Sequence, residues 1–137
     1  MINHSSSEAQ QRTGLAHSYR LNADKSAPLV LLLHGRGGDA AVMWTFRRCI
    51  PENYNIVAAQ AAHADPIGGF SWWLTGEEGS ERLSKDELVL HAQKASELVK
   101  RFVAGICEHY GLAPSSLLAL GFSQGGGILS AMIQQDA

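Results

Sequence analysis

Two short aliphatic runs, Leu29-Val30-Leu31-Leu32-Leu33 and Leu117-Leu118-Ala119-Leu120, each lead without a break into a glycine-rich turn. Neither run shows the polar alternation of a strand with one wet face. Both are therefore expected to be strands buried on both sides, as in a parallel sheet covered by helices. Asn55-Ile56-Val57-Ala58-Ala59 is a third candidate strand. The clearest helix starts at Ser84-Lys85-Asp86-Glu87, a capping box in which Ser84 receives the amide of Glu87 and Glu87 reaches back to the amide of Ser84. Leu88, Ala92, Ala95, Leu98, Val99, Phe102, Ile106 and Tyr110 then recur at helical spacing until Gly111 and Pro114 close the element. Strands alternating with helices predict an α/β fold, with a largely parallel sheet and flanking helices.

The rest of the chain is punctuation around that frame. Residues 1–13 are a polar leader, expected to be flexible, and residues 14–137 form the domain. Leu15, His17, Tyr19 and Leu21 alternate with more polar positions, which predicts a half-buried edge strand. Residues 22–28 carry turn chemistry, and residues 40–49 suggest a short helix stopped by Pro51. The stretch 60–82, with Pro66, Gly68, Gly69, Gly76 and Gly79, is expected to be irregular, and a loop of that length is usually functional or mobile. A last helix is expected over residues 128–135.

Eleven Lys and Arg against thirteen Asp and Glu leave a formal charge of −2, and the charges are scattered. A nucleic-acid or anionic-membrane partner is disfavoured on that ground. Cys49 and Cys107 lie far apart with no Cys-x-x-Cys pairing, so neither a disulfide framework nor a zinc site is suggested. The start lacks the basic and apolar regions of a secretory signal, and the longest aliphatic run falls far short of the ~20 residues that span a bilayer. A cytoplasmic protein without stable membrane insertion is expected, its oligomeric state open.

The segment with most chemical content is Gly121-x-Ser123-x-Gly125, set between an expected strand and an expected helix. A sharp strand-to-helix turn forces its central residue into a strained backbone and pushes the side chain out of the sheet; small neighbours let strand and helix approach. Ser123 is thus a candidate nucleophile at a helix N-terminus, where amides favour developing negative charge. A glycine-rich turn after a strand can also serve chain reversal alone. His34-Gly35-Arg36-Gly37-Gly38 ends the first run, where α/β sheets bind ligands. With Ser123 it suggests an oxyanion hole built from the amides of Arg36 and Gln124. By itself, Gly35-Arg36-Gly37-Gly38-Asp39-Ala40 also fits the dinucleotide pattern G-x-G-x-x-G/A, but no acid follows the next strand until Asp65.

Taken in order, the run 29–33 with His34-Gly35-x-Gly37-Gly38-Asp39, then Ser71-Trp72-Trp73, then Gly121-Phe122-Ser123-Gln124-Gly125-Gly126, resembles the phospholipase/carboxylesterase group of α/β-hydrolases, relatives of the acyl-protein thioesterases. The resemblance runs from about residue 28 to the C-terminus. It implies the N-terminal part of an α/β-hydrolase fold and a serine-dependent hydrolase of carboxylic esters or thioesters, acting on a small or acyl-chain ester without cofactor or metal. It also implies that Ser123 is the nucleophile and that Arg36 and Gln124 donate oxyanion amides. Trp72 and Trp73 would line the acyl pocket. His34, Gly35, Gly37, Gly121 and Gly125 would shape the two turns. Arg36 stands where an apolar residue is more usual.

In that fold the catalytic acid and histidine follow the serine, whereas the segment after Ser123 offers Asp136 and no histidine. The run 117–120 reads as a central strand, yet no later segment of this chain can pair with its other side or cover it fully, which would leave an exposed apolar edge. The chain is therefore expected to be part of a longer hydrolase. His34 reads as a turn-shaping group, His63 as a loop residue and His91 and His109 as helix residues. His63-Ala64-Asp65 is a weak metal pattern. Trp44 is expected in the core. The alternatives are a non-catalytic module that holds an acyl or carbonyl ligand in the same crevice, and a nucleotide-binding α/β domain.

Overall fold

A computed structural model describes residues 1–75 and 82–136 of the chain. Positions 76–81 of the expected long loop, and residue 137, lie outside the described residues. The elements run β1 (Asn3–His4), α1 (Ser7–Thr13), β2 (His17–Arg20), β3 (Leu29–Leu33), a 3-10 helix (Val42–Cys49), β4 (Asn55–Ala59), β5 (His63–Ala64), β6 (Phe70–Ser71), α2 (Lys85–Tyr110), β7 (Leu117–Gly121) and α3 (Gln124–Asp136).

Five strands form one mixed sheet in the order β1-β2-β4-β3-β7. β4, β3 and β7 are parallel, with Leu31 opposite Val57 on one side and Ala119 on the other. β2 is antiparallel to both β1 and β4. The sheet is thus largely but not purely parallel. Alternation along β3 divides the core: Leu29, Leu31 and Leu33 face Val99, Phe102, Ile106 and Ile128 of α2 and α3, whereas Val30 and Leu32 face Met43 and Trp44 of the 3-10 helix. Every residue of β3 and β4 is buried, which explains their apolar sequence; the polar exception, Asn55 at the start of β4, accepts the Asn22 amide at 2.6 Å.

α2 begins at the expected capping box, with both reciprocal bonds formed, and ends at Gly111 in the left-handed conformation. Three expectations need correction. The polar leader is not a free arm: β1 extends the sheet, and α1 is capped by Ser6, buries Ala9 and Thr13, and packs on α2. β1 therefore takes the edge position expected of β2. Residues 42–49 form a 3-10 helix, and α3 starts directly after Ser123 instead of at residue 128. β7 has the uncovered side expected of it. It pairs with β3 alone among the described strands, and Leu117, Leu118 and Leu120 are 46%, 45% and 39% exposed. Its apolar composition suits a covered strand, and its place at the sheet margin leaves it open.

Candidate active site

β3 and β7 are neighbours in parallel register, with Leu33 beside Gly121, so the turns that follow them emerge at the same end of the sheet. The amide of Phe122 donates to the Leu33 carbonyl at 3.1 Å, which continues the pairing into the turn. Ser123 comes next with φ +56°, the one non-glycine residue with positive φ among the described residues, and it is exposed. An L-residue there is strained by contact of its Cβ with the backbone. The amides of Gly125 and Gly127 return to the carbonyls of Phe122 and Ser123 at 2.9 and 3.1 Å and start α3 at once.

Both flanking glycines are sterically required. A Cβ on Gly121 would lie 2.5 Å from the Gly125 carbonyl, and one on Gly125 would lie 2.2 Å from the Leu33 carbonyl oxygen. The strand and helix can meet this closely only without side chains. The same crowding joins the two glycine-rich turns, because a Cβ on Gly35 would come within 3.0 Å of Ser123 Cβ. The structure therefore sets Gly35, next to Arg36, against Ser123, next to Gln124.

His34 is completely buried beneath this junction. Its Nε2 accepts the Ala61 amide at 3.0 Å, so the proton sits on Nδ1, which donates to the Gly35 carbonyl at 2.6 Å. Burial holds this imidazole below its ordinary pKa, against the upward pull of the Gly35 carbonyl and of Asp39. Both ring nitrogens are committed to backbone, and His34 is thereby a brace for the turn.

The side chain of Gln124 does more than sequence reading foresaw. Its Oε1 accepts the Trp72 amide at 2.9 Å and its Nε2 donates to the Trp73 carbonyl at 3.1 Å. One buried carboxamide thus ties the nucleophile turn to the tryptophan loop. Trp72 is further fixed by its indole N–H, which donates to the His34 carbonyl at 2.8 Å. No sequence signal distinguishes this clamp, since its partners lie some 50 positions away in the chain.

Asp65 and Ser71 were missed as site residues. Ser71 receives the Gly37 amide at 3.0 Å and donates its own proton to Asp65 Oδ2 at 2.6 Å. Arg36 Nε reaches the same oxygen at 3.4 Å, and Asp65 Oδ1 takes the Ile67 amide at 3.0 Å. The Ser71 hydroxyl bond leads the interactions that hold Asp65 below its ordinary pKa, followed by the Ile67 amide and, against the cost of desolvation, by Arg36. Asp65 thus faces Arg36 and Ser71. His63 lies on a different cavity, with Trp72, Trp73 and His91, so His63-Ala64-Asp65 does not converge.

A cavity of about 320 Å³ opens beside the junction, walled by Gly35, Arg36, Val42, Met43, Phe46 and Phe122. Apart from Arg36 these side chains are apolar, which suits a short hydrocarbon group. Trp72 and Trp73 do not border this cavity; 4% and 8% exposed, they line a second one of about 330 Å³ with His63 and His91. Trp44 belongs to the core, with its indole N–H on Ser18 at 2.7 Å. Among the described residues, none of the six histidines hydrogen-bonds Ser123.

The Gly35–Asp39 turn does not feed an α-helix. It runs into a 3-10 helix, so it lacks the α-helical N-terminus that cradles pyrophosphate in dinucleotide-binding folds. No helix of the described residues is long and apolar enough to cross a membrane.

Neither protein-family models nor curated protein sequences gave a match. Solved structures did. Esterase PE8 aligns with a TM-score of 0.67 at 26% identity, over 82% of this chain and 54% of its own. YahD, solved with malic acid, aligns at 0.63 with 22% identity, over 85% of this chain and 55% of its own. A carboxylesterase from Mesorhizobium loti aligns at 0.62 with 21% identity, over 85% and 54%. The chain spans about half the length of the structures that it matches. Its mixed five-stranded sheet with flanking helices matches α/β-hydrolase structures, which include an esterase and a carboxylesterase.

Proposed function

We propose that Ser123 is the nucleophile of a hydrolase of carboxylic esters or thioesters. The observation that carries this reading is the exposed left-handed serine at the strand-helix turn, with the Gly35 turn packed against it. Strain of this kind persists only where the surroundings enforce it, and it clusters at functional sites. Ser123 Oγ attacks the acyl carbonyl while the amides of Arg36 and Gln124 receive the charge that forms on its oxygen. The tetrahedral intermediate expels the alcohol or thiol and leaves an ester on Ser123, which water then cleaves to regenerate the serine.

Proton transfer in both steps needs a base that the six histidines of this chain do not provide in the described geometry. In an enzyme of the neighbours' full length, a histidine oriented by an acid would supply it. The chemistry requires neither metal nor cofactor. The cavity walled by Val42, Met43, Phe46 and Phe122 takes the apolar part of the substrate.

The test is turnover of p-nitrophenyl esters and of an acyl thioester by the natural protein and its Ser123→Ala variant. The variant is expected to lose the acyl-enzyme burst and at least about 10³-fold in kcat. A retained burst refutes the assignment. The apolar cavity beside Ser123 would also serve a second reading, a module that holds an acyl ligand without turnover. Saturable ester binding with no release of nitrophenol by the natural protein would decide for it.

A further inference from the structure

We infer that Asp65 is a positioning residue for the oxyanion site, acting through Ser71 and Arg36 on the turn that carries the donor amide. The inference rests on the ester-hydrolase reading and adds to it the group that holds the donor in place. An oxyanion hole works by preorganisation, so its peptide must already be fixed when charge develops.

The Arg36 peptide is bracketed from both sides by one carboxylate. Its own side chain meets Asp65 Oδ2, and the next amide, that of Gly37, reaches the same oxygen through the Ser71 hydroxyl. The polarity of this relay is set by Asp65. A serine hydroxyl has one proton; because the carboxylate accepts it, the Ser71 oxygen is left as an acceptor for the Gly37 amide. Asp65 itself is held by Ile67, and its side chain is 2% exposed. One residue further, the Phe70 amide donates to the Gly38 carbonyl at 2.8 Å and continues the same attachment.

Charge enters the argument as well. A carboxylate near a developing oxyanion would oppose it, and the guanidinium on the same oxygen offsets that field. Asparagine cannot replace Asp65. Three donors converge on the two carboxylate oxygens, from Ser71, Arg36 and Ile67, and a carboxamide would have to turn its NH2 toward at least one of them.

The experiment joins amide hydrogen exchange on the chain, read by NMR, with ester turnover by the natural protein, for Asp65→Asn, Ser71→Ala and Ser71→Thr. Exchange of the Gly37 amide should accelerate about tenfold in Asp65→Asn and Ser71→Ala, the scale of one lost hydrogen bond to a held partner. Ser71→Thr, which keeps the hydroxyl, should restore it. The Ala61 amide, held by His34, should be unchanged in all three and reports that the fold is intact. If Asp65→Asn does not fold, Ser71→Ala carries the test.

In turnover, kcat should fall about tenfold to a hundredfold in Ser71→Ala with KM within twofold, as expected for a misplaced catalytic group. Unchanged Gly37 exchange overturns the inference, as does accelerated exchange with unchanged kcat. A wild-type protein that turns over no ester would count against the hydrolase reading instead, and the exchange result would still decide whether Asp65 holds the turn.

Discussion

Ser123 occupies a backbone conformation that costs an ordinary L-residue about 1–2 kcal/mol. Its φ of +56° arises from the sharpness of the turn, since α3 begins at the next residue and Gly121 and Gly125 are already in contact. Glycine does not carry this strain. Replacing Ser123 by glycine should therefore recover most of it, less the about 0.4–1 kcal/mol by which glycine enlarges the entropy of the unfolded chain. Alanine keeps the Cβ and recovers nothing. The expected order is Ser123→Gly above Ser123→Ala by about 0.5–1 kcal/mol, with Ser123→Ala close to the parent because the exposed hydroxyl has little to lose. Urea unfolding followed by tryptophan fluorescence reads the difference as a shift in midpoint at constant slope. Both variants remove the nucleophile, so the comparison isolates backbone strain from chemistry. A Ser123→Gly protein less stable than Ser123→Ala would mean that the turn is relaxed, and the argument from strain to function would lose its footing.

Other consequences can be measured in the same way. Gly125→Ala places a Cβ 2.2 Å from the Leu33 carbonyl oxygen, so it should cost more than about 4 kcal/mol or prevent folding, as read by circular dichroism. Gln124→Ala strands the Trp72 amide and the Trp73 carbonyl, and should destabilise by about 2–4 kcal/mol in urea; a loss under 0.5 kcal/mol would show the clamp to be idle. Burial holds both His17 and His34 below their ordinary value of 6.5. Their contribution to stability is therefore complete above about pH 6.5 and is lost as pH falls toward their folded pKa values, by at most about 1.4 kcal/mol per pH unit each. His34→Gln should flatten that slope below about pH 6.5, and an unchanged slope would show that His34 does not contribute to it.

Much of the frame was legible because burial leaves a mark on composition. β3 and β4 are covered on both faces, and apart from Asn55 at the start of β4 their sequences are apolar throughout. α2 announces its start because a capping box is local, with donor and acceptor three residues apart. β7 has the composition of a covered strand, and Leu117, Leu118 and Leu120 are exposed because it pairs with β3 alone among the described strands, the open edge expected of it. The leader was harder to read. α1 buries only Ala9 and Thr13, too few to give a periodic signal, and its support comes from α2, nearly a hundred positions away in the chain.

At the candidate site the same distinction holds. The Ser123 turn could be read because strand, glycines and helix are contiguous, and its left-handed serine is the geometry such a turn requires. The groups that fix it could not. Gln124 acts on Trp72 and Trp73, and Asp65 on Arg36, across separations that only the folded chain closes. The tryptophan pair looked like a pocket wall because aromatic residues in a glycine-flanked loop suit that role. Both are buried, Trp72 with its indole bond to the His34 carbonyl, and they line a second cavity with His63 and His91 instead of the one beside Ser123.

Reaction of the natural protein with a fluorophosphonate, followed by intact-mass measurement and mapping of the modified residue, tests the central claim most directly. Ser123 as an activated nucleophile predicts a single adduct on that residue, absent from Ser123→Ala. A folded protein that stays unmodified, or that carries the label elsewhere, would contradict it.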